Sequence, residues 1–224
     1  MTAPLSLGVL ISGSGSNLQA IIDAIEREEL TARIHVVISN RADAYGLTRA
    51  QQHGIPTVVI DHKEFSSRED FETALIQSLH AHQVELVVLA GFMRVLTPFF
   101  VRAFPQRIIN IHPALLPAFP GTHAQRQALQ YGVRIAGATV HFVDEEMDHG
   151  PIIAQAAVPV YPDDTEETLS ARILAQEHRL YPHAIQLFAE GRMEIRGRTV
   201  VVHNESRAPH ATLRVPDTTN GQKD

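Results

Sequence analysis

The sequence predicts an α/β protein: a mostly parallel sheet with helices on both faces, and antiparallel strands in the C-terminal half. Three observations carry this. Short, almost continuously apolar runs (LSLGVLIS, RIHVVIS, ELVVLA, RIINI) alternate with segments of helical period as far as residue 112. Strands buried on both faces read as unbroken apolar runs, which is the mark of a parallel sheet covered on both sides. Beyond residue 112, two strand-like runs over 138–143 and 152–160 follow each other with no helix between them, so they are expected to pair antiparallel.

The elements follow in order. Residues 5–12 form the first strand, and 17–28 a helix with Leu18, Ile21, Ile22 and Ile25 on one face. A strand over 33–39 leads to a helix over 44–53, stopped by Gly54 and Pro56, and then to a strand over 57–60. Ser66 is placed to cap the next helix, with Glu69 three positions on completing a capping box, and that helix runs to about residue 83. The run over 85–90 is the most apolar and is expected at the sheet centre. Pro98 opens a short helix carrying Phe99, Phe100, Val101 and Phe104, and 107–111 is the next strand. A helix over 123–131 precedes the antiparallel pair. Asp164 and Glu167 make a second capping pair for a helix over 165–190, which Pro182 is expected to kink. Ile195 and 199–202 suggest a hairpin. The apolar pattern stops at Ser206, so the expected division is one domain over 1–205 and a mobile polar tail over 206–224.

Composition bounds what such a chain does. With 224 residues it can bury a core without staples, and 44% hydrophobic against 20% charged residues argues against disorder. A net charge of −6 disfavours nucleic acid as a partner. The absence of cysteine excludes disulfides, thiolate metal sites and cysteine nucleophiles. No apolar stretch reaches the ~20 residues a bilayer requires, and the N-terminus lacks the basic start of a signal peptide. No membrane partner is expected, and a cytoplasmic location fits. The thirteen histidines are scattered without HExxH or HxH spacing, so no metal is expected.

Three stretches carry candidate chemistry. Gly13-Ser14-Gly15-Ser16-Asn17 lies between the first strand and first helix, where glycines permit a tight turn and a helix N-terminus offers free N–H groups to an anion. The dinucleotide fingerprint fails, because Leu18 takes the third glycine position and no acid follows the second strand; the P-loop fails for want of GK[ST]. A phosphorylated small molecule suits the loop better than a nucleotide. Asn110 and His112 lie two apart at a strand end, so both side chains point the same way. An amide donor beside an imidazole can hold a developing oxyanion and move a proton. Finally, one carboxylate from the loop after the next strand, set against His112, would fix its tautomer and favour its protonated form. The residues alone leave open whether that is Asp144, Glu145, Glu146 or Asp148.

Taken together, LISGSGSNLQAII, SNRADAYGLTRA, AGFMRVLTPFFV, NIHPALLPAFPGTHAQRQAL, GATVHFVDEEMDHGPII and AQEHRLYP resemble the phosphoribosylglycinamide formyltransferases over roughly 7–195. The resemblance implies a Rossmann-like sheet with the phosphate site in its first half and a folate site in its second. It implies formyl transfer from 10-formyltetrahydrofolate to glycinamide ribonucleotide in purine biosynthesis, by a monomer or homodimer acting on small molecules. By the same resemblance, Gly15, Ser16 and Asn17 match the loop that grips the ribonucleotide phosphate, and Glu177 a residue that helps hold that substrate. Arg68, Met93, Arg94, Val95, Leu96 and Asp144 match folate-contacting positions, and Asn110, His112 and Asp148 the catalytic trio.

Related formyl enzymes are distinguishable. Methionyl-tRNA formyltransferase adds a C-terminal tRNA domain, whereas about twenty polar residues follow this core. Formyltetrahydrofolate deformylase adds an N-terminal regulatory domain and typically has histidine where this chain has Pro113. The chain departs from the family at Ala114, where serine is frequent. The reading from a different class is a non-catalytic sugar-phosphate binder, which leaves Asn110, His112 and Asp148 without a role.

Overall fold

A computed structural model describes residues 3–205 together with Leu213 and Val215; the rest of the expected tail over 206–224 lies outside the described residues. Nine strands form one sheet: β1 (Leu5–Ile11), β2 (Ala32–Ser39), β3 (Thr57–Val59), β4 (Leu86–Leu89), β5 (Ile108–His112), β6 (Ile135–Phe142), β7 (Ile152–Pro159), β8 (Met193–Arg196) and β9 (Thr199–Val202). Their order is β3-β2-β1-β4-β5-β6-β7-β9-β8. The first five strands pair parallel, and β5–β6 and β6–β7 antiparallel, as the apolar runs predict. β4 lies between β1 and β5 with all four residues buried. From β1 the chain steps outward to β2 and β3, then crosses to β4 on the other side. The loops after β1 and β4 therefore diverge at the carboxyl edge of the sheet, the place where open α/β sheets hold ligands.

Six helices complete the order: α1 (Ser16–Glu26), α2 (Tyr45–Gln52), α3 (Arg68–Ala81), α4 (Pro98–Ala103), α5 (Ala124–Tyr131) and α6 (Glu166–Ala189). Side chains alternate across a strand, so β1 serves two cores. Leu7, Val9 and Ile11 pack with Leu18 and Ile21 of α1 and Ile185 of α6, while Leu10 packs with Phe71 and Leu75 of α3 and Phe100 of α4. Gly8 admits α3 to close range: a Cβ there would lie 2.5 Å from Leu79 Cδ2. Tyr181 is fully buried, and its hydroxyl lies 3.0 Å from the carbonyls of both Leu89 and Ile109, tying α6 to β4 and β5. Pro182 sits within an unbroken α6.

Both caps fall one residue later than expected. α3 is capped by Ser67, which accepts from the Asp70 N–H at 3.0 Å, because Asp70 rather than Glu69 is the third helical residue. Ser66 donates instead to the Asp70 carboxylate at 2.9 Å. α6 is capped by a reciprocal Thr165–Thr168 box. Asp164 is drawn away by Arg172, which donates to its two oxygens at 2.7 and 2.8 Å. The Arg172 guanidinium holds the Asp164 carboxyl well below the usual carboxylate range. The stability this adds is present above the ordinary carboxylate pKa, about 4, and is lost as pH falls through the lowered folded-state value. Asp164→Asn should cost roughly 1–3 kcal/mol at pH 7. Urea unfolding at pH 7 and pH 3 should show the gap from wild type narrowing at the lower pH; a constant gap would mean that the carboxylate charge contributes nothing.

The hairpin β8–β9 forms as expected, but it also joins the main sheet. β9 lies beside β7 through a parallel pairing of Thr199 with Ile152.

Candidate active site

The first wall of the crevice is the turn from β1 into α1. Gly15 is the helix N-cap at φ 70° and has no side-chain cap, so the first-turn N–H groups are left to other acceptors. The turn is braced from α2: the Gly46 N–H donates to the Gly13 carbonyl at 3.0 Å, and Arg49 Nε donates to the Ser14 carbonyl at 2.9 Å. Asn17 and Glu177, separated by 160 residues, meet here, the Asn17 amide donating to the Glu177 carboxylate at 2.7 Å. Burial pushes the Glu177 carboxyl above its ordinary value, with the Asn17 hydrogen bond and the charge of His112 pulling the other way. The buried Asn17 Oδ1 has no hydrogen-bond partner among the described residues. Four residues that the resemblance assigns to one substrate (Gly15, Ser16, Asn17, Glu177) thus gather at one end of the crevice.

The centre is set by strand register. Antiparallel pairing of β5 with β6 places Asn110 opposite His141 and His112 opposite Thr139. His112 is 4% exposed. Its Nε2 lies 2.8 Å from the Phe119 carbonyl and its Nδ1 3.5 Å from Asp148 Oδ2. Both ring nitrogens thus face oxygen atoms. The same Asp148 oxygen accepts the Gly121 N–H at 2.7 Å, and its other oxygen lies 3.8 Å from His141 Nε2. Of the four acids left open by the sequence, Asp148 is the one facing His112. Glu145 pairs with Arg102 at 2.8 Å, and Asp144 faces His149 Nδ1 at 2.8 Å.

The far wall is the segment over 93–96, pinned at both ends. The Met93 N–H donates to Ser12 Oγ at 2.8 Å, across the split between β1 and β4, and Ser12 donates in turn to Asn40 at 2.6 Å. At the other end the Thr97 N–H donates to the buried carboxylate of Glu72 at 2.8 Å, and the Thr97 hydroxyl donates to the same group. Between the pins Met93 and Val95 are exposed, at 73% and 55%, while Leu96 is buried. Large exposed apolar side chains at a crevice rim suit a flat organic ring. Arg68 is the first residue of α3 and exposed, and its side chain makes no hydrogen bond or ion pair among the described residues. Glu72, which holds Thr97, lies one turn further along α3.

Several site residues escape a reading of the sequence. His141 is 2% exposed inside an apolar strand. Its Nδ1 lies 2.8 Å from the Phe142 carbonyl, so Nδ1 carries the proton and Nε2 is left as an acceptor for the Asn110 amide at 3.3 Å. Burial holds this imidazole below its ordinary pKa, which favours that neutral form. Thr139 and Gln155 shape the loop after His112: Thr139 Oγ1 donates to the Ala114 carbonyl at 2.6 Å and accepts the Leu116 N–H at 3.0 Å, and Gln155 donates to the Leu116 carbonyl at 3.0 Å. The available signal was a polar residue every second position in ATVHFV, the spacing of one strand face.

Comparison with known proteins gives a consistent set of relatives. The formyl transferase family profile matches residues 6–185. Phosphoribosylglycinamide formyltransferase of Escherichia coli (strain K12) is 48% identical over 191 residues, covering 85% of this chain and 90% of that protein. The crystal structure of glycinamide ribonucleotide transformylase 1 from Symbiobacterium toebii is 55% identical with a TM-score of 0.89, covering 90% of this chain and 95% of the other. A formyltetrahydrofolate deformylase from Pseudomonas syringae pv. tomato shares the fold at a TM-score of 0.83 with 29% identity, and the match spans 66% of that longer chain. No helix among the described residues is long and apolar enough to cross a membrane.

Proposed function

This chain belongs to the phosphoribosylglycinamide formyltransferase family of one-carbon transferases, and from that premise we propose that it moves a formyl group from 10-formyltetrahydrofolate to the amine of N1-(5-phosphoribosyl)glycinamide. The observation that supports this reading most is that Asp148 faces His112 and lies 3.8 Å from His141, the partner of Asn110, at the sheet edge that also carries the uncapped turn at Gly15. The turn at Gly15, Ser16 and Asn17 takes the phosphate, and Glu177 takes a polar group of the same substrate. Met93, Arg94, Val95 and Leu96 border the folate, with Arg68 and Asp144 at its periphery.

The neutral glycinamide amine attacks the formyl carbon directly, and the formyl oxygen gains negative charge. Asn110 Nδ2 spends one N–H on His141 and has a second for that oxygen. His112 supplies another donor, Nε2, once the Phe119 carbonyl gives way to the substrate. Donors fixed in a dry site need no reorganisation as charge develops. Asp148 keeps His112 oriented and organises a water that carries the proton lost by the attacking nitrogen to the departing folate N10. The new C–N bond forms, the C–N10 bond breaks, and both nitrogens finish neutral. Direct attack requires neither a metal nor a covalent intermediate, and much of the barrier reduction comes from aligning two bound substrates.

The test is incubation of the protein with 10-formyltetrahydrofolate, with and without glycinamide ribonucleotide, and identification of the products. The expected result is formyl-glycinamide ribonucleotide, formed only when the acceptor is present. Free formate released equally fast without acceptor would make the protein a deformylase. Ribonucleotide binding with no transfer would make it a binding protein.

A further inference from the structure

Arg198 lies outside the crevice, yet it reaches the loop that carries Asp148. Gly197, at φ 61°, allows the tight turn between β8 and β9, and Arg198 follows it. The hairpin sits where β9 meets β7, Thr199 pairing with Ile152, the first strand residue after the loop over 143–151. From there one guanidinium nitrogen of Arg198 donates to the His149 carbonyl at 2.5 Å, and the other lies 2.9 Å from His149 Nε2. The opposite ring nitrogen, Nδ1, lies 2.8 Å from Asp144 Oδ2. The guanidinium nitrogen beside Nε2 also lies 3.3 Å from Nδ1, so the His149 ring is held between Arg198 and the Asp144 carboxylate.

We propose that Arg198 is a positioning residue for the formyl-donor side of the site: the C-terminal hairpin exists at this edge to clamp the loop bearing Asp144 and Asp148. The inference rests on the reading of that loop as part of the folate site. Two features favour it over a merely decorative surface contact. The clamp spans the loop, from Asp144 near its start to His149 near its end, and so encloses Asp148, whose φ of 52° is a conformation non-glycine residues rarely hold unaided. Arg198 also divides its fork between the His149 backbone carbonyl and the His149 ring, which fixes orientation better than a single charge does. Of the loop's other ties, the Gly121 N–H holds the Asp148 carboxylate itself, and Glu145 with Arg102 is between exposed groups and constrains only the middle of the loop.

The contacts are exposed, so their loss should hardly change global stability. What should change is the order of the loop. Arg198→Ala is expected to raise the KM for 10-formyltetrahydrofolate by about 3–10-fold, the scale of one or two hydrogen bonds to a charged group. The KM for glycinamide ribonucleotide should stay within about twofold, since Asn17 and Glu177 sit at the other end of the crevice. Arg198→Lys keeps the charge and one donor direction, and should recover part of the loss. His149→Ala removes the shared partner, so adding Arg198→Ala to it should have a much smaller effect than in the wild-type background.

Amide hydrogen exchange over 143–151 supplies a readout independent of turnover: it should accelerate in Arg198→Ala while the strands β4 and β5 keep their protection. Unchanged exchange in that loop would overturn the clamp, whether or not the protein transfers formyl groups. Faster exchange together with unchanged donor KM would show that the clamp holds the loop without positioning the donor, and would overturn the proposal too. A drop in unfolding temperature with both KM values shifted equally would reduce Arg198 to a stability element. Absence of formyl transfer in the unmodified protein would instead remove the folate reading, leaving exchange to judge the clamp.

Discussion

His112→Ala is expected to slow single-turnover formyl transfer by roughly 10²–10⁴-fold, the range that positioned acid–base groups commonly contribute, while both substrates still bind. The ring is sealed between the Phe119 carbonyl and Asp148, so alanine removes a side chain that links the proposed oxyanion site directly to that carboxylate. Asp148 would keep its Gly121 N–H, so the loop retains one anchor. Asn110→Ala removes the other oxyanion donor and should cost about 10²–10³-fold. Rapid-quench measurements at saturating substrates read both effects, with circular dichroism to show that the variants are folded. Near-wild-type transfer in a folded His112→Ala protein would remove the residue from the chemistry.

Gly15→Val should weaken glycinamide ribonucleotide binding by roughly 10–100-fold, because holding a side chain at a left-handed position costs about 1–3 kcal/mol before any clash is counted. The clash here is with backbone: a Cβ on Gly15 would lie 2.5 Å from the Gly46 Cα. The turn cannot yield without displacing α2, whose Gly46 N–H also holds the Gly13 carbonyl. Loss of affinity should therefore come with a lower unfolding temperature, an effect that obstruction of the anion alone would not produce. Gly13→Ala is the matched control, since a Cβ there meets nothing within 4 Å and should leave stability intact. Calorimetric titration with the ribonucleotide and with tetrahydrofolate separates the two subsites. Equal loss of both ligands in folded Gly15→Val would contradict the assignment of the turn to the phosphate.

The sheet was legible because burial on both faces leaves apolar runs that no surface strand tolerates. β1, β2, β4 and β5 all announce themselves in this way. The caps were misplaced by one residue because adjacent polar residues offer rival acceptors, and which one reaches the first-turn N–H depends on what holds its neighbour. Asp70 and Arg172 decide that through contacts a local pattern does not contain. Asn110 and His112 were visible as a pair, since strand geometry alone puts them on one side. His141 was not, because its value depends on the antiparallel register that sets it opposite Asn110.

The acid in the loop after β6 was ambiguous for a similar reason. Asp148 reaches His112 through a left-handed backbone and a close approach at Gly150, where a Cβ would lie 1.8 Å from the Phe142 carbonyl. Family resemblance singled out Asp148 where local residue chemistry did not. Likewise, nothing short of tertiary structure shows that Asn17 and Glu177 share a hydrogen bond, or that the terminal hairpin adds itself to the main sheet.

The claim that Asn110, His112 and Asp148 form one catalytic unit is tested most directly by a double-mutant cycle of His112→Ala and Asp148→Asn on single-turnover formyl transfer, with binding of each substrate measured separately. Asp148→Asn preserves shape and removes the charge facing the ring, so each single variant disables the same imidazole–carboxylate pair. The double variant is expected to lose far less than the product of the two single losses, as residues acting as a unit do. Losses that multiply strictly would show His112 and Asp148 working independently and would contradict the shared role assigned to them.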